Sequence, residues 1–484
     1  MNKVIKNYIY NITYQVLVLI VPLITTPYIS RVLGAKGVGI FSYTNSIVQY
    51  FILFGCIGLN LYGQREVAYV QHDRIKRDSV FWELLTLRVV TISISLFVFH
   101  FTLVSNGKYS SIFILMQIDI IASMVDISWF FQGIEDFKKI VIRNLIIKIV
   151  GVILIFVFVN SSNDLRVYVL CHSLTLLLGN ISMWFYLPKL VNRVRFRSLN
   201  IIRHIKPTCM LFLPQIATSI YTVLDKTMIG FLTGIEEEVA FYEQGQKLVK
   251  IVMVFVTSLG TVMLPRVANL FKLNEIEKIK QYLSKSFTFV FFLSFPMMFG
   301  LIALSCSIVP WFFGSGYDRV VPNMMVISPI LVFIAISNIL GTQYLIPVGR
   351  QKEFTIAVIT GSVVNFAFNS ILIPRLFSIG AAIATVVAEF SVMAVQMYFT
   401  RKDFNFKFLI LSNAKYIYCS AIMFVVTYFL ARSLTPTFTH TLICVCTGGA
   451  IYICLLYLMK DETLIEIIEK VKDKIIHGAK DREK

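Results

Sequence analysis

Long apolar runs separated by short polar segments make up most of this chain. Fourteen of these runs could cross a bilayer, because a helix needs about 20 apolar residues to span roughly 30 Å of hydrocarbon. We therefore predict an all-α integral membrane protein with fourteen transmembrane helices. The predicted spans lie at about 10–31, 38–60, 80–104, 111–131, 141–160, 167–187, 208–231, 239–263, 286–306, 321–347, 354–373, 378–399, 412–431 and 440–459.

The composition supports a membrane protein and argues against a large soluble domain. Hydrophobic residues make up 57% of the 484 residues and charged residues only 15%, whereas soluble chains carry about 25% charged residues. The eight cysteines lie in apolar runs without a CxxC motif or a Cys/His cluster, so we expect neither a metal site nor a disulfide framework. The chain lacks a G-x-x-x-x-G-K-[ST] loop, and we predict no cofactor.

Positive charge is concentrated in every second predicted loop, for example in the runs 74–77 and 193–197. Because cytoplasmic loops carry an excess of Lys and Arg, this asymmetry predicts that both termini are cytoplasmic. We attribute the net charge of +18 to contact with anionic lipid headgroups, not to nucleic-acid binding. The C-terminal tail has the apolar spacing of an amphipathic helix at the membrane surface.

The second part of the chain repeats the pattern of the first. Pro22 in "LIVPLITT" pairs with Pro214 in "LFLPQIAT", and "GVGIFSYTNSIVQY" pairs with "EVAFYEQGQKLVKI". Six crossings per half is an even number, so we predict two parallel six-helix lobes that enclose a central cleft. The predicted divisions are a first lobe at 1–190, a basic cytoplasmic linker at 191–206, a second lobe at 207–402, two last transmembrane helices at 403–460 and a cytoplasmic amphipathic tail at 461–484.

Polar side chains recur along one face of two equivalent predicted helices. In the second half they include Glu243, Gln246, Lys247 and Lys250. The equivalent positions in the first half are Ser42, Asn45, Ser46, Gln49, Cys56 and Asn60. A Lys at the bilayer centre costs about 2.5–3.5 kcal/mol, so we predict that both stripes face a wet cavity. The alternative is a structural ion pair between Glu243 and Lys247, with Lys250 extending to the interface.

Other ionisable groups in or near the predicted spans are Arg88, Lys148, Asp119, Asp126, Asp225 and Glu389. Arg88 and Lys148 are the deepest cations, and Asp119 and Asp126 lie two turns apart on one helical face. Each group could contact a substrate or could pair with a neighbouring helix, and the sequence leaves both alternatives open.

Pro22 and Pro214 occupy equivalent positions in the first helix of each half. Proline removes a helix hydrogen bond and permits a bend. We predict either a pair of hinges that open and close the cleft or a pair of fixed kinks.

Four stretches, in order along the chain, carry a resemblance to a known family. They are "RVLGAKGVGIFSY", "WFFQGIEDFKKIVIRN", "LIPVGRQKEF" and "NFAFNSILIPRLFSIGAAIATVVAE". In these stretches and in its predicted topology the chain resembles the Wzx-type polysaccharide repeat-unit flippases of the MOP (MATE-like) exporter superfamily.

The resemblance implies a V-shaped pair of lobes in the cytoplasmic membrane that flips an undecaprenyl-diphosphate-linked oligosaccharide to the outer leaflet for capsule or surface polysaccharide assembly. It implies alternating access and, as candidate partners, a polysaccharide polymerase and other assembly proteins. The candidates for diphosphate contact are Lys247, Lys250, Arg88 and Lys148. Those for the sugar are Gln49, Asn45 and Gln246, with Glu243 beside them, and those for ion or proton coupling are Asp126, Asp119, Asp225 and Glu389.

The chain departs from the related lipid II flippases in its first helix. Those proteins have an Arg-Asp pair there, whereas the comparable stretch here is "PLITTPY" without a charge. The departure argues against a peptidoglycan precursor as substrate and leaves the energy coupling open. Two alternatives are a MATE-like exporter of small organic cations and a membrane-embedded polysaccharide polymerase. The short outside loops disfavour an enzyme, and the lysines of the stripe disfavour a cation site.

Overall fold

The computed structural model describes residues 3–105, 107–195, 199–466 and 468–469. Side chains are described from residue 20 onward, except at 213–215, 217–221, 258–262 and 264–265. Every regular element within these residues is helical, as the apolar pattern predicts. The chain divides into two compact units, Met1–Ala240 and Phe241–Lys484.

The first unit is a bundle of helices joined by short loops. Its helices are α1 (Lys3–Cys56), α2 (Leu59–Tyr69), α3 (Arg74–Phe99), α4 (Ser110–Met124), α5 (Ser128–Gly133), α6 (Phe137–Phe158), α7 (Leu165–Ser182) and α8 (Ile202–Thr233). A π-helical turn at His100–Val104 extends α3, and 3-10 turns at Ser162–Asp164 and Met183–Lys189 flank α7. α9 (Glu236–Lys272) begins at the end of this unit and continues into the next.

The second unit has the same helical character. Its further helices are α10 (Ile276–Phe313), α11 (Val320–Ile327), α12 (Ile330–Ser337), α13 (Gln351–Leu376), α14 (Ser378–Thr400), α15 (Phe406–Ser412), α16 (Ala414–Ser433) and α17 (Phe438–Leu458). A π-helical turn at Asn338–Leu345 follows α12.

Ten segments of the described chain are long and apolar enough to cross a membrane. Two of them, Ile20–Tyr69 and Gln351–Thr400, hold 50 residues each, which at about 1.5 Å per residue is more than twice the roughly 30 Å of hydrocarbon. Left-handed backbone interrupts both, at Gly34 (φ 66°) and at Phe377 (φ 55°). The chain is therefore a multi-pass membrane protein, and the number of fourteen helices stays a prediction.

Two apolar cores stabilise the first unit. One joins α2, α3 and α5, where the rings of Phe81 and Trp129 stack with centroids 5.6 Å apart. The other joins α1, α3, α4 and α7 around the fully buried Val48 and Met116. Trp129 opens one of the stretches that carry the family resemblance, so that stretch contributes to the packing of the bundle.

α8 is attached to the first unit at both of its ends. Near its start, the buried Glu83 of α3 accepts a hydrogen bond from Arg203 Nε at 3.1 Å and lies 2.7 Å from His204 Nε2. Just beyond its end, Gly39 of α1 packs directly against the backbone of Glu236. These contacts explain why the first compact unit extends to residue 240. The predicted division into six-helix lobes around a 191–206 linker stays a prediction.

The second unit is organised around α10, which packs against α12, α16 and α17. Tyr416 and Tyr452 are buried in this core, and Tyr452 donates a hydrogen bond to the carbonyl of Phe292 at 2.8 Å. After α17, the buried Asp461 accepts a hydrogen bond from Tyr416 at 2.8 Å and pairs with Lys415 Nζ at 2.5 Å. Most of the predicted tail at 461–484 lies outside the described residues.

Replacing Gly39 with Ala should destabilise the protein, because a Cβ there would lie 1.8 Å from the carbonyl oxygen of Glu236. Overpacking of this kind costs about 1–3 kcal/mol. The melting temperature of the purified protein in detergent would fall. The matched control is Gly449→Ala in α17, where a Cβ has no neighbour within 4 Å and Ala favours the helix. Equal melting temperatures for the two variants would contradict the close packing at Gly39.

Candidate functional site

A cavity of about 420 Å³ lies within the first unit, between the C-terminal part of α1, the start of α2 and α8. It is lined by Gln49, Tyr50, Ile52, Leu53, Cys56, Gly58, Asn60, Thr222 and Val223. Gln49, Asn60 and Thr222 are exposed, and their amides and hydroxyl can both donate and accept hydrogen bonds. Such a wall suits a hydrated, hydrogen-bonding ligand.

The backbone places these polar groups by interrupting a helix. α1 ends at Cys56, Ile57 and Gly58 adopt positive φ values of 43° and 75°, and α2 begins at Leu59. A Cβ at position 58 would lie 3.2 Å from the backbone of Phe212, so the glycine allows α8 to approach closely. The interruption puts Asn60 on the first turn of α2, beside the cavity.

The polar stripe of the first half divides into two groups. Ser42 and Ser46 are buried, and the Ser46 hydroxyl lies 2.8 Å from the hydroxyl of Thr227 in α8. Gln49, Cys56 and Asn60 line the cavity instead. Asn45 is half-buried, and Gln49 Nε2 approaches its Oδ1 at 3.5 Å. Ser46 therefore packs on α8, and Gln49, Cys56 and Asn60 face the cavity.

Two further polar lining residues, Tyr50 and Thr222, were not candidates from the sequence, and only the position of α8 brings Thr222 to α1. Asn60 belongs to the predicted stripe, and its helical spacing was the signal that selected it.

In the second unit, the predicted stripe lies on α9. Lys247 Nζ is 4.0 Å from Glu243 Oε1, with the two side chains 33% and 22% exposed. Gln246 Nε2 donates to the hydroxyl of Tyr242 at 3.0 Å. Lys250 is exposed. The i,i+4 pair and an exposed cation therefore coexist on one helix, and a central cavity shared by the two stripes stays a prediction.

Arg88 is held by groups of the protein itself. Its side chain is buried, its Nη1 donates to Asn60 Oδ1 at 2.6 Å, and its Nε donates to the carbonyl of Ser123 at 2.7 Å. Asp126 Oδ2 lies 3.9 Å from its Nη2, and Asp126 Oδ1 lies 3.6 Å from Arg143 Nη1. Two arginines thus share Asp126 behind the cavity wall. Substrate contact by Arg88 and ion coupling by Asp126 stay predictions.

The other ionisable candidates lie on separate helices. Lys148 is half-buried on α6, and no hydrogen bond or ion pair joins it to another described residue. Asp119 is 2% exposed on α4, and its Oδ1 has no hydrogen-bond partner within the described part of the chain. Asp225 on α8 and Glu389 on α14 are buried and make interactions with other residues. Their roles in coupling stay predictions.

The two predicted hinges are unequally described. Pro22 lies half-buried within α1, twelve residues before the interruption at Gly34. Pro214 falls among the side chains outside the described residues.

Within the described part, no group of three or more His, Cys, Asp or Glu residues could hold a metal ion.

A polar cluster joins the α8–α9 connection to the loop before α4. Glu236 accepts hydrogen bonds from Lys108 Nζ at 2.6 Å and from the Tyr109 hydroxyl at 2.7 Å. Burial would raise the pKa of Glu236, but these two donors outweigh it and lower the pKa below its ordinary value. The carboxylate therefore stays ionised and keeps the connection attached to the first half.

Comparisons with known proteins match this chain to membrane transporters and to proteins of polysaccharide biosynthesis. A family model described as "Polysaccharide biosynthesis protein" matches residues 4–271, and one described as MatE matches residues 211–371. The chain is 25% identical over 403 residues to an Escherichia coli (strain K12) protein named "Putative O-antigen transporter". That match covers 82% of this chain and 97% of the relative.

Two solved structures share the fold. Lipid II flippase MurJ in an inward closed conformation matches with a TM-score of 0.73 and 18% identity, over 95% of this chain and 100% of that one. An inward-facing multidrug resistance MATE family transporter of the MOP superfamily matches with a TM-score of 0.61 and 13% identity, over 79% of this chain and 97% of that one. The predicted MATE-like helical fold is confirmed, and at these identities the likeness concerns the fold alone.

Gln49→Cys, in a background without native cysteines, should react with a membrane-impermeant, charged thiol reagent, because Gln49 is exposed to a polar cavity. The matched control is Ile153→Cys on α6, which replaces an apolar side chain that is 55% exposed and which we expect to face lipid. Labelling rates in membrane vesicles would be compared. A Gln49→Cys rate no higher than that of Ile153→Cys would show that the cavity is not hydrated.

Proposed function

Because this chain belongs to the polysaccharide biosynthesis protein family, we propose that it flips an undecaprenyl-diphosphate-linked oligosaccharide across the cytoplasmic membrane. The repeat unit moves from the inner to the outer leaflet, where it enters a capsule or a similar surface polysaccharide. The chain is a membrane transporter of polysaccharide biosynthesis and not an enzyme. Both termini are placed in the cytoplasm in this proposal, from the Lys and Arg distribution.

The observation that carries the proposal is a cavity among apolar helices whose wall carries three exposed polar side chains. A diphosphate-sugar headgroup cannot enter hydrocarbon unaided, because ions and unpaired polar groups are strongly disfavoured there. Gln49, Asn60 and Thr222 offer it hydrogen bonds in place of water. The polyprenyl tail needs no such path, because it can remain in the lipid while the headgroup moves.

Lysine side chains on α9 and α6 favour a substrate with an anionic headgroup. Lys250 is exposed and Lys247 is one-third exposed on α9, and Lys148 is half-buried on α6. Exposed cations attract ligands of the opposite sign to the surface around them. We assign these lysines to the diphosphate and Gln49, Asn45 and Gln246 to sugar hydroxyls.

Alternating access supplies the movement in this proposal. In the predicted topology, Glu236, Lys108 and Tyr109 lie on the outer side, where their contacts join the α8–α9 connection to the first half. Release of these contacts would open the outer side, with a bend at Pro22 as one element. Asp119 is the candidate for proton or ion binding, because its buried Oδ1 has no partner among the described residues. Asp126, Asp225 and Glu389 are the other candidates.

The second candidate function is export of small organic cations by a MATE-like mechanism. The match of residues 211–371 to the MatE family model is the observation that favours it. A cation site requires acidic or aromatic groups, whereas the exposed side chains of α9 include the cation Lys250. This charge favours the anionic substrate.

The deciding experiment uses membrane vesicles that contain the purified chain. A fluorescent undecaprenyl-diphosphate-linked oligosaccharide is added, and its appearance in the opposite leaflet is followed by reaction with an impermeant quencher. Faster flipping than in protein-free vesicles supports the proposal. Uptake of a fluorescent organic cation without lipid flipping would contradict the proposal and would support cation export.

Lys250→Ala should slow flipping by about tenfold or more, because a hydrogen bond to a charged group contributes about 1.5–3 kcal/mol. Lys250→Arg keeps the charge and should retain most activity. The matched control is Lys272→Ala, which removes an exposed lysine from the last turn of the same helix. Flipping by Lys250→Ala at the control's rate, with equal amounts of protein in the membrane, would remove Lys250 from the substrate path.

A further inference from the structure

The contact between Arg88 and Asn60 joins a buried cation to an exposed amide. Arg88 is 1% exposed, and its guanidinium already interacts with Asn60, the Ser123 carbonyl and Asp126. A substrate in the cavity therefore meets Asn60, which lines it, and not Arg88 itself. The arginine can act on a ligand only through the amide in front of it.

The arginine determines which end of the amide faces the cavity. A guanidinium has only donors, so its partner must be the amide oxygen. The observed 2.6 Å contact joins Arg88 Nη1 to Asn60 Oδ1. A rotated amide would place NH₂ against N–H and would lose a charge-assisted hydrogen bond. Asn60 Nδ2, which has no hydrogen bond to another described residue, is thereby presented to the cavity as a donor.

The amide is fixed by its backbone as well as by Arg88. The positive φ values of Ile57 and Gly58 interrupt the helix just before α2, and Gly58 packs against α8. Gln49 differs from Asn60 in this respect, because its amide contacts the uncharged amide of Asn45, at 3.5 Å, and not a buried cation. In Asn60, by contrast, a buried charge sets which end of the amide faces the cavity.

We propose that Arg88 is a positioning residue that holds Asn60 Nδ2 as an obligate donor to an anionic oxygen of the substrate diphosphate. This role rests on the proposed function, and it identifies the Asn60 amide as a group that binds the headgroup. A guanidinium bonded to the amide oxygen also polarises the amide and strengthens its N–H groups as donors. A diphosphate oxygen only accepts hydrogen bonds, so it fits this donor without rearrangement.

Asn60→Asp separates the proposed role from a structural one. The carboxylate still accepts from Arg88, as an ion pair, but it offers no donor and repels an anion. A purely structural Asn60 predicts normal flipping by this variant. The proposal predicts flipping at least about tenfold slower, at normal membrane levels.

The matched control is Asn144→Asp on α6. Asn144 also accepts from an arginine, with its Oδ1 2.8 Å from Arg143 Nη2, and it is not among the residues that line this cavity. The Asn144→Asp variant should flip the lipid-linked oligosaccharide at the wild-type rate. A loss of flipping that is confined to Asn60→Asp therefore reports on the cavity. Equal rates for the two variants would overturn the proposal.

Binding measurements distinguish a contact of Asn60 with the diphosphate from a contact with the sugar. The probes are undecaprenyl diphosphate, which has the anion without the sugar, and undecaprenol, which has neither. Purified Asn60→Asp should bind the diphosphate about tenfold or more weakly than wild type and undecaprenol equally. Slow flipping with unchanged diphosphate affinity would overturn the assignment to the diphosphate, because the donor would then contact the sugar.

A double-mutant cycle tests whether Arg88 acts through Asn60. Arg88→Lys keeps a cation near Asp126 but loses the fixed geometry, so it should weaken diphosphate binding in the wild-type background. In the Asn60→Ala background the same change should have no further effect. A further loss there would show direct contact by Arg88. Failure of the wild type to flip any lipid-linked oligosaccharide would instead reject the proposed function itself.

Discussion

Hydrocarbon disfavours any polar group that lacks a partner, and this constraint governs the arrangement of the polar side chains in the bundle. The chain satisfies it in two ways. Arg88, Asp126 and Arg143 are placed together, so that both arginines pair with one carboxylate inside the protein. Gln49, Asn60 and Thr222 are placed around a cavity, where water or a ligand can form hydrogen bonds with them beside those that the protein makes. The hydrogen bond between Arg88 and Asn60 joins the buried charged group to the cavity wall.

Interruptions of helices are as important as the helices themselves. The left-handed residues at Gly34 and at Ile57–Gly58 allow one long apolar segment to turn, to pack against α8 and to present Asn60. A continuous helix through these positions would carry its polar residues past the cavity. Local backbone conformation and the placement of polar side chains around the cavity are therefore linked in this part of the fold.

Similarity of fold does not identify the substrate. The chain shares its architecture with a lipid II flippase and with a multidrug transporter, although it lacks the charged pair in the first helix that we expect for lipid II. Transporters of this architecture differ in the groups that line the cavity. The exposed Lys250 and the oriented amide of Asn60 favour an anionic headgroup, and neither is a property of the fold.

The helical class and the membrane setting could be predicted from the sequence, because apolar run length and composition report directly on the cost of transfer into lipid. Helical spacing also grouped Gln49 with Asn60. It could not separate Ser46, which packs on Thr227, from Gln49, which faces the cavity, because a 3.6-residue period gives a direction but not the neighbour in that direction. The partners of Arg88 and the contribution of Thr222 depend on contacts between helices far apart in the chain. Only the tertiary structure decides such contacts, since they follow from the packing of whole helices and not from any local pattern.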